Sequence, residues 1–244
     1  MTKFRRLVPL GSYCRTSYQC RVYSKKFLSE ETKSGPFDWT ITPFLSLSRI
    51  IREDINQNLI LNPIDSYINR GGSVTCGYSG IAFHHDLNKK LVKSYGGEKN
   101  QKVVPTELLE SKEWSYAKSR YFHTLRNLVK TSKEEGNLYV RWMKNTTAKN
   151  YLVFAGEDPA KTYELLRSNK WLNNSGLLYI TTGYVEGVQE PLKNPIKSIS
   201  KISDNCWNCI IKERKGFNGD PTGAIWKGDG MSWQSLFHEI LENS

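Results

Sequence analysis

Short apolar runs alternate along the chain with segments in which apolar residues recur every three or four positions. Continuous apolar runs are typical of strands that are covered on both faces, whereas the longer spacing is typical of amphipathic helices. The strand pattern covers residues 7–10, 74–78, 81–87, 138–143, 151–155, 177–182, 196–202 and 207–212. The helical pattern covers residues 13–26, 43–55, 105–135, 159–167 and 232–242. This alternation predicts an α/β fold: one domain over residues 1–244, with a mixed central sheet flanked by helices.

The first predicted strand ends in a turn that carries a cysteine. Gly11 and Ser12 interrupt the apolar run, and Ser12 is placed to cap the helix that follows. Cys14 then falls in the first helical turn, beside Arg15. Free N–H groups and a nearby cation both favour an anion, so this position predicts a thiol with a lowered pKa. The alternative is that Cys14 is a small buried residue at a strand-to-helix turn.

The bulk composition narrows the class of protein. The 244 residues include 35 Lys and Arg against 24 Asp and Glu, a net charge of +11, which attracts polyanions, phosphorylated cofactors or anionic surfaces. Five cysteines are an odd count in a chain too large to need disulfides, so we expect reduced thiols in a cytoplasmic protein. The N-terminal residues lack a signal-peptide pattern, and no window holds the roughly 18 apolar residues of a membrane span.

A nucleophilic cysteine requires a base, and the chain has four histidines. His123 and His238 lie inside predicted helices, where a surface or packing role is expected. His84 and His85 end a predicted strand, in which adjacent side chains point to opposite faces. Only one of these two can therefore face a given site.

Three further polar residues are candidates for a site. Asp38 lies between Phe37 and Trp39, where a carboxylate would be partly desolvated. It is either a structural acceptor for backbone N–H groups or a member of a site. Gln19, in the Cys14 helix, and Arg141, inside an apolar run, are candidates for binding substrate, with a solvated or locally paired side chain as the alternative.

Other classes of site receive little support from the sequence. Neighbouring ligands at residues 84–86 would diverge along a strand, so no metal site is predicted. The pair Cys206 and Cys209 is a single CxxC in an apparent strand, which indicates a structural role. The P-loop, dinucleotide, zinc-protease and serine-hydrolase motifs are absent. Nucleic-acid binding would rest on charge alone, and we do not expect it.

Three segments carry a family resemblance: LGSYCRTSYQCR at residues 10–21, SGPFDWTITPFLSL at residues 34–47 and GIAFHHDL at residues 80–87. Together they resemble a bacterial family described as papain-like cysteine peptidases, whose members carry a Cys after a Gly-ended strand, a Pro-Phe-Asp-Trp segment and a Phe-x-His-Asp segment. The resemblance implies Cys14 as nucleophile, His85 as general base and Asp38 as the third member. It also implies a peptide or acyl substrate, for which the basic charge favours an anionic one.

A looser resemblance extends to a capsule-biosynthesis family of coenzyme A-binding acetyltransferases with a similarly placed N-terminal cysteine. Both families imply a thiolate that attacks an acyl carbon, with water as acceptor in one and a sugar hydroxyl or amine in the other. A third alternative is a non-catalytic protein that binds a polyanionic partner through its basic charge.

Overall fold

The computed structural model describes residues 3–11, 13–38, 40–52, 66–68, 73–77, 79–83, 87, 102–144, 157–214 and 229–243. Within these ranges the chain forms ten strands and six helices. The strands are β1 (Arg6–Pro9), β2 (Thr40–Ile41), β3 (Ser66–Ile68), β4 (Val74–Cys76), β5 (Ala82–Phe83), β6 (Lys102–Val103), β7 (Asn137–Lys144), β8 (Gly176–Val185), β9 (Ile196–Ser203) and β10 (Cys206–Arg214). The helices are α1 (Cys14–Phe27), α2 (Phe44–Arg52), α3 (Thr106–Leu109), α4 (Lys112–Ser132), α5 (Pro159–Ser168) and α6 (Gly230–Glu242). None of the helices in these ranges is long and apolar enough to span a lipid bilayer.

The larger sheet contains the strands that the apolar runs predict. Its order is β1-β7-β8-β10-β9, with the first four strands parallel and β9 antiparallel at the edge. Leu7 pairs with Leu138, and Val140 pairs with Leu178. The three strongest apolar runs therefore lie side by side in one mixed sheet, and the predicted fold class is confirmed.

Helices cover both faces of this sheet. Alternate strand residues point to opposite sides, so Leu7 joins one buried core and Val8 joins the other. The first core is formed with α1 and α6, where the rings of Tyr23 and Phe237 lie 5.5 Å apart. The second core is formed with α2, α4 and α5. These three layers leave the carboxyl ends of the parallel strands at one edge of the sandwich, next to the first turn of α1.

A second sheet, which the sequence does not predict, packs into the second core. It is antiparallel throughout, with the order β2-β5-β4-β3-β6. Its strands are only two or three residues long. Such strands are too short to show a period of two, which explains why the pattern gives only two of them, and with wrong bounds. Phe83 of β5 packs edge-on against Tyr121 of α4, with the ring centroids 5.2 Å apart.

The single helix predicted over residues 105–135 is wrong, because the structure has two helices there. Helix α3 ends at Leu109, and α4 begins at Lys112. Ser111 stands between them and accepts a hydrogen bond from the Trp114 N–H at 3.1 Å. This N-cap satisfies a free donor of the new helix and so favours a restart at this point. The strand predicted over residues 151–155 lies outside the described residues.

Candidate functional site

The turn between β1 and α1 is held by close backbone packing. The Leu10 N–H continues the sheet by donating to the Val140 carbonyl at 2.8 Å. Gly11 has φ +78°, and a Cβ built there would lie 2.9 Å from the Cβ of Phe37. Only glycine fits this conformation and this approach. Tyr13 holds the N-cap position without a side-chain hydrogen bond, and Ser12, the predicted cap, lies outside the described residues.

Cys14 occupies the first position of α1, as the strand-to-helix pattern predicts. All five cysteines are described, and Cys14 is half-buried while the other four are buried. Burial raises the pKa of the Cys14 thiol, while its own N–H, the Arg15 charge and the Arg15 N–H lower it by less. The predicted lowering of this pKa is therefore wrong. A thiol that stays protonated near neutral pH requires a general base to become a nucleophile.

Arg15 is held in a buried cluster at the carboxyl ends of β7, β8 and β10. Its Nη1 donates to Glu213 at 2.6 Å and to the Tyr184 hydroxyl at 3.3 Å. Its guanidinium also lies 4.6 Å from the centroid of the Trp142 ring. Trp233 of α6 donates to the other Glu213 oxygen at 2.6 Å. The first turn of α1 is thus tied to the sheet and to α6.

The carboxylate of this cluster is almost completely desolvated. Glu213 is 1% exposed, and burial raises its pKa although Arg15 and Trp233 partly offset that effect. No local pattern in the sequence indicates this cluster, because Arg15 and Glu213 are 198 positions apart. The local signal is weak, because Glu213 lies between Lys212 and Arg214 at the charged end of β10.

Asp38 lies in the loop before β2 and contacts α1 at Arg21, seven residues after Cys14. Its carboxylate forms an ion pair with Arg21 and accepts a hydrogen bond from the Gly35 N–H at 3.0 Å. Burial raises the pKa of Asp38, while Arg21, the Gly35 N–H and the Ser17 side chain lower it by less. Both of the predicted alternatives, acceptor and site member, thus remain compatible with its position.

Asp38 also lines a cleft of about 200 Å³ between the 34–40 segment and α4. The residues that line it are Ser34, Gly35, Pro36, Asp38, Thr40, Arg120, Tyr121, His123 and Thr124. Cys14 is not among these lining residues. The structure therefore groups Asp38 with Arg120 and His123 around this cleft.

The histidines fall into two groups. The predicted base His85 and its neighbour His84 both lie outside the described residues. His123 is exposed on α4, where its Nε2 lies 3.1 Å from the Asn127 amide nitrogen. His238 is exposed on α6, with its Nδ1 2.9 Å from a Glu242 oxygen. Both described histidines are on helix surfaces, one of the two roles expected for them.

The two candidates for substrate binding are both internal. Gln19 is buried in α1. The Arg141 side chain is fully buried, and its guanidinium donates to the Leu10 carbonyl at 2.8 Å and the Thr42 carbonyl at 2.9 Å. It also forms two hydrogen bonds with Glu157, at 2.7 and 2.8 Å. This arrangement matches the alternative interpretation of Arg141, a locally paired side chain that joins the β1–α1 turn to the segments before α2 and α5.

The remaining metal and cysteine candidates add no second site. Across the described residues, no three His, Cys, Asp or Glu side chains are grouped closely enough to hold a metal ion. Cys206 and Cys209 are buried in β10, and burial raises their pKa values to about 11 and about 12. Thiols with such pKa values are inert near neutral pH.

Comparison of the chain with models of known protein families, with curated proteins and with solved structures finds no match. The similarity to papain-like cysteine peptidases therefore stays a prediction that rests on the three sequence segments and on the position of Cys14.

Proposed function

We propose that the chain is a cysteine-dependent hydrolase of acyl or amide bonds, with Cys14 as the nucleophile. The observation that carries this proposal is the position of Cys14: a half-buried thiol at the first residue of α1, directly after a parallel strand. In α/β folds, ligands bind beside the carboxyl ends of the parallel strands. The backbone N–H groups of Cys14 and Arg15 act on the sulfur, and groups in such positions also stabilise an oxyanion.

The reaction requires a proton acceptor, because burial keeps the Cys14 thiol protonated. We assign this role to His85, which the family resemblance implies. The sulfur bonds to the acyl carbon while His85 takes its proton. His85 then gives that proton to the leaving amine or alcohol as its bond to the acyl carbon breaks. Water, deprotonated by the same imidazole, cleaves the thioester and regenerates the thiol.

Hydrolysis of p-nitrophenyl acetate by the full chain tests this assignment. We expect Cys14→Ala and His85→Ala each to lower the rate by about 100-fold or more, since general-base catalysis contributes that much. His84→Ala is the matched control, because the family resemblance implies His85 and not His84, and we expect this variant to retain activity. Circular dichroism of each variant checks the fold. Undiminished hydrolysis by the Cys14→Ala protein would overturn the proposal.

A second candidate uses the same thiol with coenzyme A as acyl carrier, and the net charge of +11 favours it. Coenzyme A should then protect Cys14 from iodoacetamide, and added salt should weaken the protection because screening reduces attraction to the phosphates. A hydrolase should ignore coenzyme A. If Cys14 reacts no faster than the four buried cysteines and no acyl substrate is turned over, the non-catalytic alternative, binding of a polyanion, replaces both enzyme proposals.

A further inference from the structure

The cleft beside Asp38 has a wall rich in hydrogen-bond donors. Arg120 of α4 is half-buried there, and Ser34 is exposed with a hydroxyl that can donate. His123 also lines the cleft, and its Nε2 lies at hydrogen-bond distance from the Asn127 side-chain nitrogen. With Nε2 accepting from that amide, the neutral imidazole carries its proton on Nδ1. Two side-chain donors of α4 and one of the 34–40 segment therefore line the same small cleft.

The acidic group of this wall is engaged through one of its oxygens. Asp38 is 4% exposed, and its Oδ2 accepts from both Arg21 and the Gly35 N–H. Arg120 is a second guanidinium near this carboxylate. Burial, and to a smaller extent the charge of Arg21, lower the pKa of Arg120, while Asp38 opposes them. Two guanidinium groups thus share the surroundings of one buried carboxylate.

We infer that this cleft binds a small oxyanion, a carboxylate or a phosphate group, through the guanidinium of Arg120, with Ser34 and His123 as further donors. A guanidinium presents a planar pair of N–H groups that matches both kinds of oxyanion. A volume of about 200 Å³ admits such a group together with a short part of the molecule that carries it.

Nuclear magnetic resonance of the full chain tests the oxyanion site directly. Sodium phosphate and sodium acetate are titrated separately at constant ionic strength, and the Gly35 amide and the Arg120 Nε–H are followed. We expect saturable shifts of both signals, and the probe with the lower dissociation constant identifies the oxyanion. Arg120→Gln should weaken binding by about tenfold or more, since charge-assisted hydrogen bonds are lost. Arg120→Lys should bind less tightly than the wild type, since it keeps the charge without the fork.

Arg126→Gln is the matched control, because Arg126 is an exposed arginine on the same helix and does not line the cleft. It should bind both probes like the wild type. Equal loss in the Arg126 and Arg120 variants, or the absence of saturable shifts at Gly35, would overturn the site. The titration is repeated with Cys14→Ser: binding that persists there supports the cleft whatever the activity of Cys14. An active Cys14 in a protein that binds neither probe refutes the cleft alone.

Discussion

Replacing Arg141 with Met distinguishes a structural role of this side chain, through buried hydrogen bonds, from a contact with substrate. The Arg141 and Glu157 side chains are both 0% exposed and are joined by two hydrogen bonds. The same guanidinium satisfies the carbonyls of Leu10 and Thr42. Methionine fills most of the volume but leaves a buried carboxylate and two buried carbonyls without these donors. A purely catalytic or binding role would instead cost activity and leave stability intact.

The expected loss of stability follows from these contacts. Removing one partner of a buried ion pair costs about 3–5 kcal/mol, and each orphaned acceptor adds about 1–3 kcal/mol. Because whole domains are stable by only about 5–15 kcal/mol, Arg141→Met should lose a large part of the total. For a chain of this size the melting temperature should fall by about 10 °C or more. Arg141→Met with Glu157→Leu should recover the ion-pair part of the loss, since no unpaired charge remains.

Urea unfolding followed by circular dichroism measures these differences. Arg167→Met is the matched control, because Arg167 forms an ion pair with Glu164 on the surface of α5. Exposed ion pairs contribute little to stability, so this variant should have the same stability as the wild type. If the free energy of unfolding of Arg141→Met lies within about 1 kcal/mol of the wild-type value, the structural role of Arg141 is refuted. A double variant no more stable than the single one would refute the assignment of the cost to an unpaired Glu157.

Two further variants test the scaffold around the site. Asp229 caps α6 and binds Arg214 through both oxygens, at 2.8 and 2.9 Å. Burial tends to raise the pKa of Asp229, but Arg214 lowers it below its usual value, so its stabilising effect is complete above the unfolded pKa of about 3.9. Asp229→Asn should therefore lower the melting temperature at pH 7, with the gap to the wild type closing as pH falls below about 4; a gap that stays constant to pH 3 would contradict this. Gly11→Ala should cost about 1 kcal/mol or more, because φ is +78° and the new Cβ meets Phe37 at 2.9 Å; urea unfolding measures the loss, and an unchanged midpoint would contradict the packing.

The strands of the central sheet could be predicted because burial on both faces produces a pattern that is visible locally in the sequence. The strands that became β1, β7 and β8 are continuous apolar runs, and their neighbours carry helical periodicity. The second sheet is harder to predict, because its strands of two or three residues are too short to repeat an alternating pattern, and only the apolar runs at residues 74–78 and 81–87 indicate two of them. The break at Ser111 is a local capping signal inside a longer periodic pattern, so the periodicity masked it.

The site was predictable only in its local part. The strand, glycine, cysteine and helix are consecutive, and they placed Cys14 at the first turn of α1 correctly. The direction of its pKa shift could not be read in the same way, because it depends mainly on burial by distant elements. The Arg15–Glu213–Trp233 cluster and the Arg120 wall beside Asp38 join residues far apart in sequence, which no local pattern reports.

Trapping of the acyl-enzyme tests the role of Cys14 most directly. The full chain is mixed with p-nitrophenyl acetate, quenched in acid within the first turnover, and analysed by intact mass and peptide mapping. We expect one acetyl group on Cys14, none on Cys20, Cys76, Cys206 or Cys209, and no thioester in the Cys14→Ser protein. An acetyl group spread over lysines, or a labelled fraction that Cys14→Ser leaves unchanged, would contradict a nucleophilic Cys14.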